Sequence, residues 1–158
     1  MLNVLMVCLG NICRSPMAEG ILRKKVEERG LNITVDSAGF EPYHSGDRPD
    51  PRAVLTAKNN GVDISNIYSR IFLYEDFQKF DKIYVMDKWN YNDVISVAKT
   101  DSDRMKVDYF LNLLYPNENR AVPDPYYGKM NGFEEVFDEL NAGCEVICSE
   151  FIRSQRNA

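Results

Sequence analysis

The chain contains no apolar run approaching the roughly twenty residues that a membrane-crossing helix requires, so it offers no candidate for such a span. It has no internal repeat and no low-complexity tract, which sets aside repeat architectures. Positive charge is also short: 19 Lys and Arg stand against 24 Asp and Glu, for a net charge of −5. That balance argues against nonspecific nucleic-acid binding, which relies on a basic surface. No G-x4-G-K-S/T is present, so a P-loop nucleotidase is disfavoured. Histidine occurs once, as His44, in a loop rich in turn formers, and is assigned no catalytic duty. No signal peptide precedes Met1-Leu2-Asn3-Val4, so the four cysteines are not read as a secreted disulfide scaffold and a cytoplasmic location is expected.

What is present fits one compact domain over 1–158. At 158 residues and 44% hydrophobic content, the chain can bury about two thirds of its unfolded surface, and no linker divides it. The pattern predicts strands at 3–8, 33–37, 81–86 and 105–109, alternating with helices at 16–29, 50–60, 73–79, 88–98 and 132–153. Asp101-Ser102-Asp103 reads as a turn before the last strand. Right-handed crossovers then give a doubly wound α/β fold that binds its ligand at the carboxyl edge of the sheet. Near the C-terminus, Phe133, Phe137, Leu140, Cys144, Ile147 and Phe151 recur at helical spacing, widened by Val136 and Cys148. Cys144 and Cys148 are therefore expected in the core.

The stretch Cys8-Leu9-Gly10-Asn11-Ile12-Cys13-Arg14-Ser15-Pro16 lies between the apolar strand Val4-Leu5-Met6-Val7 and an amphipathic helix that stops at Gly30. A loop closing from Cys8 to Arg14 can turn its N–H groups inward as a nest for a tetrahedral anion. Gly10 and Asn11 suit the positive φ that such a loop uses. Ser15 reads as the N-cap and Pro16 as the first helical residue, which places a helix N-terminus beneath the anion. Arg14 adds a planar fork able to grip two phosphate oxygens.

A lone cysteine ending an apolar strand is ordinarily a core residue. The C-x5-R spacing, the intervening glycine and the Ser-Pro helix start together point instead to a nucleophile. A helix N-terminus and a neighbouring cation commonly bring a thiol from about 8.5 to roughly 3.5–7.5, so Cys8 is expected to be mostly thiolate at neutral pH. The Ser15 hydroxyl is placed to donate a hydrogen bond to that sulfur.

The chain resembles the low-molecular-weight protein tyrosine phosphatases over nearly its whole length. The similarity is carried by Val7 to Glu19, by Asp36-Ser37-Ala38-Gly39, and by Val122-Pro123-Asp124-Pro125-Tyr126-Tyr127-Gly128, in that order. The resemblance implies a three-layer α/β fold of the phosphotyrosine phosphatase I type, with a four-stranded parallel sheet and helices on both faces. It also implies hydrolysis of phosphotyrosine and small aryl phosphates through a phosphocysteine, with acid phosphatase activity and without metal or cofactor. Phosphate and vanadate are the implied site ligands, and tyrosine-phosphorylated proteins or small aryl phosphates the partners; a monomer and a weak dimer both remain open.

Residue by residue, the resemblance makes Cys8, Arg14 and Asp124 catalytic. Leu9, Gly10, Asn11, Ile12, Cys13 and Ser15 bind phosphate or support its loop, as does Ser37 with Asn11 from behind. Tyr43 and Tyr126 stand on opposite rims of the cleft, with Tyr127 adjacent. Asp124 has independent support: an aryl ester needs a proton for its leaving oxygen, and Pro123 and Pro125 keep that segment out of helix, although Pro-Asp-Pro-Tyr also reads as a surface turn. Trp89 is a further candidate for the cleft edge or the cover of a helix start. Cys13 is near enough in sequence for a reversible disulfide with Cys8, which the resemblance implies would shield the nucleophile from over-oxidation. Many relatives carry histidine where this chain has Ile67, a departure in the outer loop network.

Two other readings compete. An arsenate reductase needs two relay cysteines, and Cys144 and Cys148 on a terminal helix are poorly placed for that. A phosphate-binding module with a dead site would have lost nucleophile or acid, whereas Cys8, Arg14 and Asp124 are all present.

Overall fold

In the computed structural model, which describes residues 1–128 and 130–157, four parallel strands form the sheet. They are β1 (Leu2–Val7), β2 (Ile33–Ala38), β3 (Lys82–Val85) and β4 (Val107–Tyr109), in the order β2-β1-β3-β4. β1 is therefore central, with Val7 paired to Ala38 on one side and to Val85 on the other. The helices are α1 (Arg14–Arg29), α2 (Pro51–Asn59), α3 (Asp76–Lys79), α4 (Lys88–Val97), α5 (Asp101–Met105) and α6 (Met130–Arg156).

Strand alternation divides the core into two. Val4 and Met6 of β1 face a cluster with Met17, Ile21 and Leu22 of α1 and Phe133, Leu140 and Cys144 of α6. Leu5 and Val7 face the opposite cluster, with Phe77 of α3 and Val94 of α4. Both faces of β1 are thus dry, as an apolar run of this length requires in a parallel sheet. Cys144 and Cys148 are fully buried in the first cluster, as their helical spacing predicts.

Several boundaries depart from expectation, α6 among them, which runs Met130–Arg156 rather than 132–153. α1 begins at Arg14, with Cys13 as its cap and no side-chain cap bond, rather than with Ser15 as cap and Pro16 as first residue. The reason is that the Ser15 hydroxyl is engaged by Asn11 and lies against Cys8. Residues 101–105 are a helix rather than a turn, closed by a reciprocal capping box between Thr100 and Asp103. The last strand accordingly starts at Val107. α3 starts at Asp76, because Asp76 folds the preceding residues into a turn by accepting from Leu73 N at 2.8 Å. Gly30 ends α1 as predicted, at φ 61°.

Candidate active site

Cys8 leaves the end of β1, where its N–H donates to Ala38 O at 3.3 Å. The following loop is gripped from outside through its carbonyls. Leu9 O accepts from Phe40 N and Glu41 N at 2.7 and 3.2 Å, and Ile12 O accepts from Asp50 N at 2.8 Å. Among the described residues, the N–H groups of Gly10, Asn11, Ile12 and Cys13 have no protein partner. A loop whose carbonyls are held from outside at Leu9 and Ile12 and whose donors are free can receive an anion.

Asn11 takes the left-handed conformation expected of it, at φ 56°. Its side chain is buried and used at both ends: Nδ2 donates to Ser15 Oγ at 2.7 Å, and Oδ1 accepts from Arg70 N at 3.0 Å. Ser15 Oγ lies 3.0 Å from Cys8 Sγ. Because the hydroxyl already accepts from Asn11, its single proton is available to the sulfur. Arg70 N supplies support from the segment that follows Ile67, and Ile67 itself is buried in the core.

Gly10, in contrast, does not adopt positive φ. Its small size serves instead, since a Cβ there would sit 3.2 Å from the His44 ring. The tighter requirement falls on Gly39, where a Cβ would come within 2.8 Å of Leu9 O and 2.9 Å of Asn11 N. Ser37 gives its hydroxyl to Glu19 at 2.6 Å, bracing α1 and not touching the loop directly.

Arg14 is 2% exposed. Its Nη1 donates to Asp87 Oδ2 at 2.8 Å and to Val122 O at 2.9 Å, while Nη2 stands 3.6 Å from Asp124 Oδ2. Burial opposes its charge, but Cys8, Asp124 and Asp87 outweigh burial and raise its pKa above the ordinary value. With Nη1 tied back, Nε and Nη2 are left for an incoming anion. Asp124 caps a short 3-10 turn, Pro125–Tyr127, with Oδ1 accepting from Tyr126 N at 3.0 Å. Its side chain is one-third exposed, in reach of both Arg14 and solvent.

The cleft over this loop has a volume of about 300 Å³. Cys8, Leu9, Gly10, Ile12, Cys13, Arg14 and Asp124 line it, with Tyr43, Tyr126 and Tyr127 as aromatic walls beside Glu41 and His44. Trp89 does not line the cleft; it is exposed, with Lys88 Nζ 5.2 Å from its ring. Burial pushes the Cys13 thiol well above its ordinary pKa, and Cys8, Asp50 and Asp124 add to that, so Cys13 is a poor rival nucleophile. All four cysteines are free thiols. Among the described residues no cluster of His, Cys, Asp and Glu is arranged to hold a metal, and no helix is long and apolar enough to cross a membrane.

Sequence reasoning passed over Asp87 and Arg52, and took Gly39 as part of a motif without its packing role. Asp87 was visible only as the residue before a predicted helix, which it caps by accepting from Asn90 N at 2.9 Å. Its second bond reaches across 73 positions to Arg14, a separation that no local pattern encodes.

The profile of a family described as "Low molecular weight phosphotyrosine protein phosphatase" matches residues 3–157. A protein of that name from Schizosaccharomyces pombe is 42% identical over 142 residues, covering 88% of this chain and 90% of its own. Among solved structures, a protein tyrosine phosphatase from Entamoeba histolytica with Hepes in the active site superposes with a TM-score of 0.89 at 34% identity, covering 98% of this chain and 99% of that one. Vibrio vulnificus Wzb in complex with benzylphosphonate superposes with a TM-score of 0.83 at 28% identity, covering 94% and 98%.

Proposed function

The chain belongs to the low molecular weight phosphotyrosine protein phosphatases, and from that membership we propose that it hydrolyses phosphotyrosine and small aryl phosphates through a phosphocysteine. The observation that carries the assignment of roles is the convergence of Cys8, Arg14 and Asp124 on one cleft, beneath a loop with unspent N–H donors.

In the first step the Cys8 thiolate attacks phosphorus in line. Loop N–H groups and the Nε/Nη2 edge of Arg14 hold the equatorial oxygens, and Asp124 gives its proton to the departing phenolate as the P–O bond breaks. In the second, Asp124 takes a proton from water, the water oxygen bonds to phosphorus, and the electron pair of the P–S bond returns to sulfur. Ser15 stabilises the thiolate in both steps by donating to it. Most of the acceleration comes from positioned charges and dipoles already held in place by the fold. The tyrosine walls favour a flat aryl group, and a cytoplasmic setting would keep the thiol reduced.

The test is phosphate release from an aryl phosphate in the presence of EDTA, with vanadate as competitor. Turnover should survive EDTA, fall with vanadate and vanish in Cys8→Ser. Binding of vanadate without any turnover would select a phosphate-binding module instead.

A further inference from the structure

Arg52 lies in the first turn of α2, outside the residues that line the cleft, yet its guanidinium holds the backbone of the segment that carries Asp124. Asp50 holds its guanidinium in a two-pronged pair, with Nε 3.1 Å from Oδ1 and Nη2 3.0 Å from Oδ2. The outer edge of the same group donates to Tyr126 O at 2.8 Å and to Gly128 O at 3.3 Å. Its carbon stands 4.8 Å from the centre of the Phe133 ring in α6, which fixes the plane from a third side.

The two ends of this unit lead to the two halves of the chemistry. At one end, Asp50 N donates to Ile12 O, a carbonyl of the anion-binding loop. At the other, the Tyr126 whose carbonyl Arg52 holds is the residue whose N–H fixes Asp124 Oδ1 at 3.0 Å. A continuous path therefore runs from the phosphate loop through Asp50 and Arg52 to the carboxyl of Asp124. Among the described residues, the further contact of Asp124 is the longer approach to Arg14, which is itself committed to the anion.

We propose that Arg52, oriented by Asp50, is a positioning residue that clasps the acid loop to the phosphate loop and sets where Asp124 delivers its proton. The proposal rests on the phosphatase reading. Proton delivery matters in proportion to how poor the leaving group is, whereas capture of phosphorus by Cys8 needs only the loop, Arg14 and the sulfur. The planar fork is essential, because an ammonium cannot pair with Asp50 through two parallel bonds and still reach two carbonyls.

The experiment compares wild type, R52K, R52A and D124A on a series of aryl phosphates of graded leaving-group pKa, with the rate of iodoacetate alkylation of Cys8 read in parallel. For R52A we expect kcat on the poorest leaving group to fall by about tenfold or more, as for misplacement of a catalytic group by about an ångström. Turnover of the most activated ester and the alkylation rate should change by less than about threefold, and the leaving-group slope should steepen toward that of D124A. R52K should show the same steepening, which preserves the test if R52A fails to fold. A uniform loss across the series with the wild-type slope, or no loss at all, overturns the clasp. Absence of phosphate release from every ester by wild type would instead overturn the phosphatase reading itself, and a steepened slope in D124A alone would leave that reading standing and remove only the clasp.

Discussion

Replacement of Asp87 tests whether the Arg14 fork, proposed to grip phosphate, is held from behind. Arg14 is 2% exposed and the Asp87 side chain 17%, so their 2.8 Å contact is largely shielded from solvent. Breaking a fully buried pair by removing one partner costs about 3–5 kcal/mol. Cys8 and Asp124 still face Arg14 after the change, so a value near the lower end of that range is the ceiling here. Asp87→Asn keeps a neutral acceptor for Nη1 and a good cap for α4, which reduces the expected loss to about 1–2 kcal/mol. Asp87→Ala removes the cap as well and adds about 1 kcal/mol. For a chain of this size those values correspond to a drop in Tm of about 2–4 °C per kcal/mol. Freed from its anchor, the fork swings, and kcat/KM on an aryl phosphate should fall by about 10–100-fold in Asp87→Asn. Steady-state kinetics and thermal melts with and without inorganic phosphate measure both effects. Phosphate gives Arg14 a replacement anion, so saturating phosphate should narrow the gap in Tm between variant and wild type. Wild-type kcat/KM and Tm in Asp87→Asn would refute the anchoring role.

Gly39→Ala places a Cβ 2.8 Å from Leu9 O, so the phosphate loop must shift; activity should drop by about tenfold or more while the melting transition stays cooperative, as read by kinetics beside circular dichroism. Ser15→Ala removes the donor to Cys8 and the acceptor of Asn11, so rapid-mix kinetics should show a retained burst of phenol followed by a slower steady state, because the sulfur departs unaided from phosphorus. Glu19 is buried, and burial raises its pKa against the opposing bonds from Ser37 and Arg23. A raised folded-state pKa contributes stability that is present below the unfolded pKa and lost as pH rises through the folded one. Glu19→Gln should therefore flatten that decline in Tm with rising pH above about 4, and an unchanged slope would refute the assignment.

The fold was legible because its signals are local. The apolar Val4 to Val7 run, the Gly30 stop and the helical stripe from Phe133 to Phe151 each report on neighbours within a few turns, and each element stands where they place it. The helix at 101–105 was missed because Asp-Ser-Asp has turn chemistry, and only the pairing of Thr100 with Asp103 converts it into a capped turn of helix. The start of α1 was misjudged for a related reason: Ser15 and Pro16 match the usual cap signature, but the serine hydroxyl has been drawn to the sulfur. That Cys8, Arg14 and Ser15 lie together was readable because they share one loop. Asp87 and Arg52 were not, since their partners lie 73 and 74 positions away and depend on how strands β1 and β3 and the loop after β4 come together.

The central place of β1 has a consequence for how this protein fails. The strand is walled on both faces and paired along both edges, so no small fluctuation can peel it away from the sheet. The sulfur of Cys8, the proposed nucleophile, hangs from its end. Denaturant or heat should therefore extinguish phosphorus capture only at the point where the whole molecule lets go, while the exposed rim residue Tyr43, which touches neither Cys8 nor Asp124, can vary without endangering the reaction it frames.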